Sequence, residues 1–97
     1  MAMPAMSARS SFVVDEFRYY IEDTTKLTVS IHPVDKKNLE DVTIPDRVEY
    51  DGKEYTIVAI DENAFYNSET LKSVTIPNTV TAIKENAFYR CKGLTSI

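Results

Sequence analysis

The sequence predicts a mainly β protein with short helical turns, a repeat solenoid of few coils entered through an antiparallel β meander. Two observations carry this expectation. One block of the chain is written twice at a fixed spacing, the signature of a repeat architecture. The residues ahead of that block form three strand-like runs rich in β-branched and aromatic side chains, with no helical period.

The repeat is explicit. Glu62-Asn63-Ala64-Phe65-Tyr66 returns unchanged as Glu85-Asn86-Ala87-Phe88-Tyr89, 23 positions later, and Ile60 with Ile83 and Leu71 with Leu94 keep the same offset. Val42-Thr43-Ile44-Pro45 returns as Val74-Thr75-Ile76-Pro77, and Val48 as Val80, but 32 positions later. The earlier copy therefore carries nine extra residues between Val48 and Ile60. Those residues read as a hairpin, because Asp51-Gly52 supplies the two positive backbone angles of a type I′ turn. The turn pairs Tyr50 with Lys53, Glu49 with Glu54 and Val48 with Tyr55. Val48, Tyr50, Tyr55 and Ile57 then share one face, expected to be buried.

In the second copy Leu71, Val74 and Ile76 fall at the spacing of a short strand that turns alternate residues inward. Pro77 ends that strand, since it cannot donate to a ladder. Val80 and Ile83 are expected to point a second extended segment into the core. One helical turn is expected over Glu85 to Tyr89, with Ala87 and Phe88 inside, and Cys91 and Leu94 close the coil. Phe65, Leu71, Val74, Ile76, Val80, Ile83, Phe88, Cys91 and Leu94 are thus the expected core. One coil cannot cover its own apolar face, so neighbours must stack on it.

The meander is read from Phe12-Val13-Val14, Phe17 to Ile21 and Lys26 to Ile31, broken at Asp15-Glu16 and Asp23-Thr24-Thr25. It is expected to cover the open end of the first coil, the capping that solenoids require. Met1 to Ser11 lack the apolar run of a signal peptide and are expected to be a disordered leader or residues foreign to the natural chain. The expected organisation is a leader at 1–11, an N-terminal β cap at 12–38, and repeats at 39–97. Within the repeats lie the hairpin insertion 48–60, a second copy 71–93 and a truncated third 94–97.

Composition excludes several functions. The net charge is −4, the eleven basic residues are scattered, and Lys36-Lys37 is the longest basic run. That argues against nucleic acid and other polyanions, which need a clustered basic face. Cys91 is the only cysteine, so no intrachain disulfide and no multi-cysteine metal site can form. No stretch reaches the roughly 18 apolar residues of a membrane helix. The acidic pairs Asp15-Glu16, Glu22-Asp23, Glu40-Asp41 and Asp61-Glu62 sit at turns and strand edges, where each is expected to be solvated. His32 stands alone beside Pro33 and is expected as a surface histidine. Cys91 is expected to be a buried, inert thiol. Tyr19, Tyr50, Tyr55 and one of Tyr20 or Tyr66 are expected to pack, which leaves no stacking platform. No catalytic, cofactor-binding or metal-ligating residue is assigned.

The 23-residue period, together with Ile76-Pro77, Ala87-Phe88 and Cys91 ahead of Leu94, resembles the BspA-like leucine-rich repeat, also called the treponemal type. The resemblance covers Leu39 to Ile97, and the start of the chain is similar to starts of such proteins in Bacteroidetes. Two departures are visible: Ser68 stands in the first copy where the repeat has cysteine, and Asp15-Glu16 where such starts often carry Asp-Gly. The resemblance implies a leucine-rich-repeat solenoid fragment, at the cell surface or secreted, used in adhesion or protein interaction and not in catalysis. The partner it implies is a protein, including host extracellular proteins, with no membrane insertion. A purely structural cap or scaffold displaying another domain is the alternative, and a carbohydrate-binding module a third. The partner-binding face expected from the strand spacing is Asp41, Thr43, Ser73 and Thr75. The chain stops midway through a next strand, as a cut-down piece or a short member would. Leu94, Ile97 and the faces of Val74, Ile76 and Phe88 are then expected to be unstacked, and a homodimer through the C-terminal end would cover them.

Overall fold

The computed structural model describes residues 9–96. Eight strands follow in order: β1 (Ser11–Val14), β2 (Phe17–Asp23), β3 (Thr28–Pro33), β4 (Asp41–Thr43), β5 (Arg47–Tyr50), β6 (Lys53–Ile60), β7 (Ser73–Thr75) and β8 (Ala82–Ile83). They make two sheets, β1-β2-β3-β6-β5 with β8 also on β6, and β4-β7. The chain alternates between the sheets, which is how a solenoid coils. β3, β6 and β8 run parallel in the first sheet, while β4, β7 and a bridge from Ser73 to Ser96 run parallel in the second.

The meander is antiparallel through β1, β2 and β3. It joins the solenoid edge to edge: β3 pairs with β6, Val29 opposite Ile57 and Ile31 opposite Ile60. The third strand of the meander is therefore itself the first coil strand. Val29 and Ile31 are fully buried, but the expected clean alternation is broken: Leu27 lies ahead of β3 at φ 54°, and Ser30, at a register shift against β6, is fully buried as well. The sheet then curls until its two edges meet: the Phe12 ring on β1 stacks on Tyr50 of β5 at 4.3 Å and lies 5.0 Å from Tyr55. Tyr50 consequently stays 45% exposed, since one ring face packs and the other meets solvent. This corrects its placement inside.

The hairpin has the expected register, Val48 to Tyr55, Glu49 to Glu54 and Tyr50 to Lys53. Asp51 at φ 55° and Gly52 at φ 76° supply the two left-handed residues. Gly52→Val places a β-branched side chain at that positive φ, a conformation costing about 1–3 kcal/mol. A lowered denaturant midpoint is the expected result, and an unchanged one would mean a different turn.

No helix occurs among the described residues. Where Glu85 to Tyr89 is expected to turn helically, the structure has consecutive tight turns. Ala87, Tyr89, Cys91 and Leu94 amides donate to the carbonyls of Lys84, Asn86, Phe88 and Cys91, each three residues back. The first copy repeats all four bonds 23 residues earlier, from Ala64, Tyr66, Ser68 and Leu71. The reason is asparagine. Asn63 and Asn86 sit at φ 58° and 60°, Asn67 and Arg90 at 62° and 65°. Left-handed residues at both ends of the segment cannot propagate a helix, and asparagine tolerates that conformation. In exchange the backbone stays free to pair sideways. Asn63, Phe65 and Asn67 donate to Glu85, Ala87 and Tyr89 of the next coil.

The core lies between the sheets and these turns. Phe65, Ile31, Ile57, Ile60, Leu71, Val29 and Val74 are its largest fully buried side chains. Ile76, Val80, Phe88, Cys91 and Leu94 pack against it half-buried. Ile83, expected inside, is 53% exposed, whereas its equivalent Ile60 is fully buried. Ile60 has β3 on one side and β8 on the other, but Ile83 has only β6 beside it among the described residues. Val74, expected to be unstacked, is buried, because Ser96 bridges to β7 and accepts a hydrogen bond from the Val74 amide. Ile97 and Met1 to Ala8 lie outside the described residues. Arg9, Ser10 and Ser11 do not behave as a leader: the Ser10 carbonyl accepts from the Ile21 amide, and Ser11 begins β1.

Candidate functional site

The expected partner-binding residues come together on β4 and β7. Parallel pairing sets Asp41 opposite Ser73 and Thr43 opposite Thr75. The alternation of a strand turns these four side chains outward while Val42 and Val74 go inward. The Ser73 hydroxyl donates to Asp41 Oδ1 at 2.6 Å, which fixes the polar pair across the ladder. Thr43 and Pro45 then border an open cleft of about 510 Å³ whose other wall is the β1–β2 turn, with Asp15, Glu16 and Phe17. The strand face is therefore flat, hydroxyl-rich and acidic at one end. It offers hydrogen-bonding groups and negative charge to a partner.

The remaining chemistry-bearing residues are occupied. Cys91 is half-buried; burial pushes its thiol up, and the thiol donates to the Phe65 carbonyl at 2.9 Å. Ser68, its equivalent, is buried with no hydrogen-bond partner for its hydroxyl. His32 lies half-buried, its Nδ1 2.9 Å from the Pro33 carbonyl and its ring edge-on to Tyr20. Among the described residues, no three His, Cys, Asp or Glu side chains gather as a metal site. No helix there is long and apolar enough to cross a membrane.

One acidic residue departs from the solvated surface expected of it. Asp61 is only 3% exposed and receives both guanidinium arms of Arg9, at 3.1 and 3.0 Å. Arg9 also lies 4.1 Å over the Tyr20 ring and 3.7 Å from Glu22, which Lys84 meets at 2.9 Å. Burial alone would raise both carboxyls. Burial is the largest single influence on each, but the hydrogen bonds from Arg9 to Asp61 and from Lys84 to Glu22, added to the attraction of both cations and further hydrogen bonding, together outweigh it and hold both below the usual carboxylate range. Two cations set between two carboxylates tie the start of the chain, β2 and the turn segments together. Sequence spacing could not show a pair 52 residues apart.

Parallel ladders in each of two sheets, linked by tight turns at a 23-residue period, define a leucine-rich-repeat solenoid. The profile of the BspA type leucine-rich repeat region, built of six copies, matches residues 34–97, and the chain belongs to that family. The fold is similar to that of a leucine-rich repeat protein from Bacteroides ovatus, at 31% identity and a TM-score of 0.73 over 88% of this chain. It is also similar to a leucine-rich repeat protein from Bacteroides capillosus, at 24% identity and a TM-score of 0.70 over 91% of this chain. A leucine-rich cell surface protein from Faecalibacterium prausnitzii matches 96% of this chain at 22% identity and a TM-score of 0.66. The chain spans 22%, 64% and 31% of those three structures respectively. No curated protein matches it in sequence.

Proposed function

We propose that the chain is a non-catalytic protein-interaction or adhesion module of a bacterial surface or secreted protein, binding through the β4–β7 face. The observation that carries this is the exposed Asp41–Ser73 and Thr43–Thr75 ladder opening onto the cleft at Asp15-Glu16. A rigid polar surface of this kind presents contacts without ordering cost, which favours association. The surface location draws support from the family and from the F. prausnitzii relative, described as a cell surface protein. Host extracellular proteins are the partners this reading names. The test replaces Ser73 and Thr75 by lysine and measures adhesion to immobilised extracellular host proteins. Loss of adhesion in a folded variant supports the face. Unchanged adhesion favours the second reading, a structural cap and scaffold, for which the edge-to-edge joining of β3 to β6 speaks.

A homodimer through the last coil is part of the same proposal. Ile83, 53% exposed, and the half-buried Phe88 offer apolar surface there. Light scattering at micromolar concentration is expected to show a dimer that Ile83→Lys returns to monomer. A clean 11.0 kDa species in the unaltered chain refutes it.

A further inference from the structure

The turn side of the solenoid, opposite in chemistry to the acidic strand face, carries a second constellation. Tyr66 and Tyr89 occupy the same place in successive coils, and their rings lie 5.5 Å apart with a 38° tilt. Both are exposed, 37% and 52%, so Tyr66, expected to pack as the alternative to Tyr20, is not in the core. A cation stands at each end of the pair. Lys36 Nζ lies 5.9 Å from the Tyr66 ring and donates to the Asn63 carbonyl at 2.7 Å, and the Arg90 guanidinium lies 5.9 Å from the Tyr89 ring. Beside Tyr66 opens a cleft of about 510 Å³, to which Lys36 and Lys37 contribute positive charge and Glu69 the single carboxylate. Lys36 and Arg90 are 54 residues apart, so a scan for basic runs passes over them. The fold brings them onto one strip.

We infer that this tyrosine pair with its flanking cations is a docking strip for an acidic peptide segment of a partner protein. Tyrosine and arginine are the side chains that most often anchor protein interfaces, because they bury large area at small entropic cost. Charge complementarity selects the partner: within a chain of net charge −4, this strip gathers Lys36, Lys37 and Arg90. The rings are tilted 38° to one another, so the pair is not the single flat platform on which a sugar face stacks. The strip is separate from the β4–β7 face and stands or falls independently of it.

Fluorescence anisotropy of a labelled octa-glutamate peptide tests the assignment, with octa-lysine and a heparin octasaccharide as the other arms. The acidic peptide is expected to bind and to be released by salt. Tyr66→Ala with Tyr89→Ala is expected to weaken it about tenfold or more. So is Lys36→Gln with Arg90→Asn, in which glutamine keeps a donor for the Asn63 carbonyl. Asparagine there restores what the first copy has at Asn67, with the same left-handed φ. Lys53→Gln, which removes an exposed cation from the hairpin, is expected to leave this binding intact. Circular dichroism confirms that each variant is folded, and Tyr66→Leu with Tyr89→Leu replaces any alanine pair that is not. Binding of neither acidic probe overturns the strip, and octa-lysine binding as well as octa-glutamate does the same. Binding of the octasaccharide alone overturns the peptide assignment.

Discussion

Phe65→Ala is expected to bring the chain to the edge of unfolding, while Phe88→Ala is expected to cost clearly less. The two phenylalanines hold the same place in the repeat and stack on each other, centroids 5.3 Å apart and planes 4° from parallel. Their surroundings differ: Phe65 is fully buried between coils, and Phe88 is half-buried on the last one. Emptying a closed site costs about 3–5 kcal/mol, from lost transfer energy plus the cavity left behind. A chain of this length has only about 5–10 kcal/mol in total. At about 4–8 °C per kcal/mol for so small a domain, the Phe65 variant should melt about 15 °C lower or more. Phe88→Ala, which opens onto solvent, should cost about 1–3 kcal/mol. Equal losses in the two variants would show that the second coil is covered in solution, which the light-scattering measurement can check.

The second large effect is expected from Arg9→Ala. Asp61 is buried, and Arg9 supplies both of its side-chain ion contacts. Removing one partner of a buried pair leaves an uncompensated charge. Because the Arg9 side chain is itself 45% exposed, the loss is discounted to about 1–3 kcal/mol. The pH dependence gives a sharper check. In the unaltered chain the Asp61 carboxyl is held below its unfolded value, so its contribution is complete above the ordinary carboxylate range. That contribution is lost as pH falls through the depressed value. Without Arg9, burial dominates and raises the Asp61 carboxyl, so mild acid should recover part of the lost stability. Denaturant melts between pH 7 and about pH 4 measure both slopes. Parallel slopes in the two proteins would mean that Arg9 does not hold Asp61 in solution.

What could be read from the residues was what is local or periodic. The hairpin register followed from Asp51-Gly52, and the coil strands from the offsets of Val42 and Val74. A helical turn over Glu85 to Tyr89 has only the length of the segment to recommend it, and the structure has tight turns there. Asn63 and Asn86 held the contrary signal, since asparagine at a fixed place in each copy marks a left-handed residue. Other features depend on chain segments far apart in sequence. Ile83 differs from Ile60 only in what lies beside it, and no residue within the repeat records that. Arg9 looked like part of a tail until the fold set it against Asp61. The four strand-face residues could be named in advance because alternation alone decides their direction. The tyrosine strip could not, because its two cations come from the β3–β4 connection and from the end of the second turn segment.

The nine-residue hairpin insertion leaves a practical opening. β4 and β7 pair in register although 32 residues separate Val42 from Val74, while the next bridge, Ser73 to Ser96, spans only 23. The ladder thus fixes which backbone groups meet and is indifferent to how much chain is paid out between them, since closing a longer loop costs little more entropy. Asp51 and Gly52 sit fully outside, with open space around the Gly52 Cα. Foreign sequence spliced between them would hang clear of both sheets, which makes the tip a grafting port through which an epitope, a tag or a second binding loop can be mounted on the coil without rewriting it.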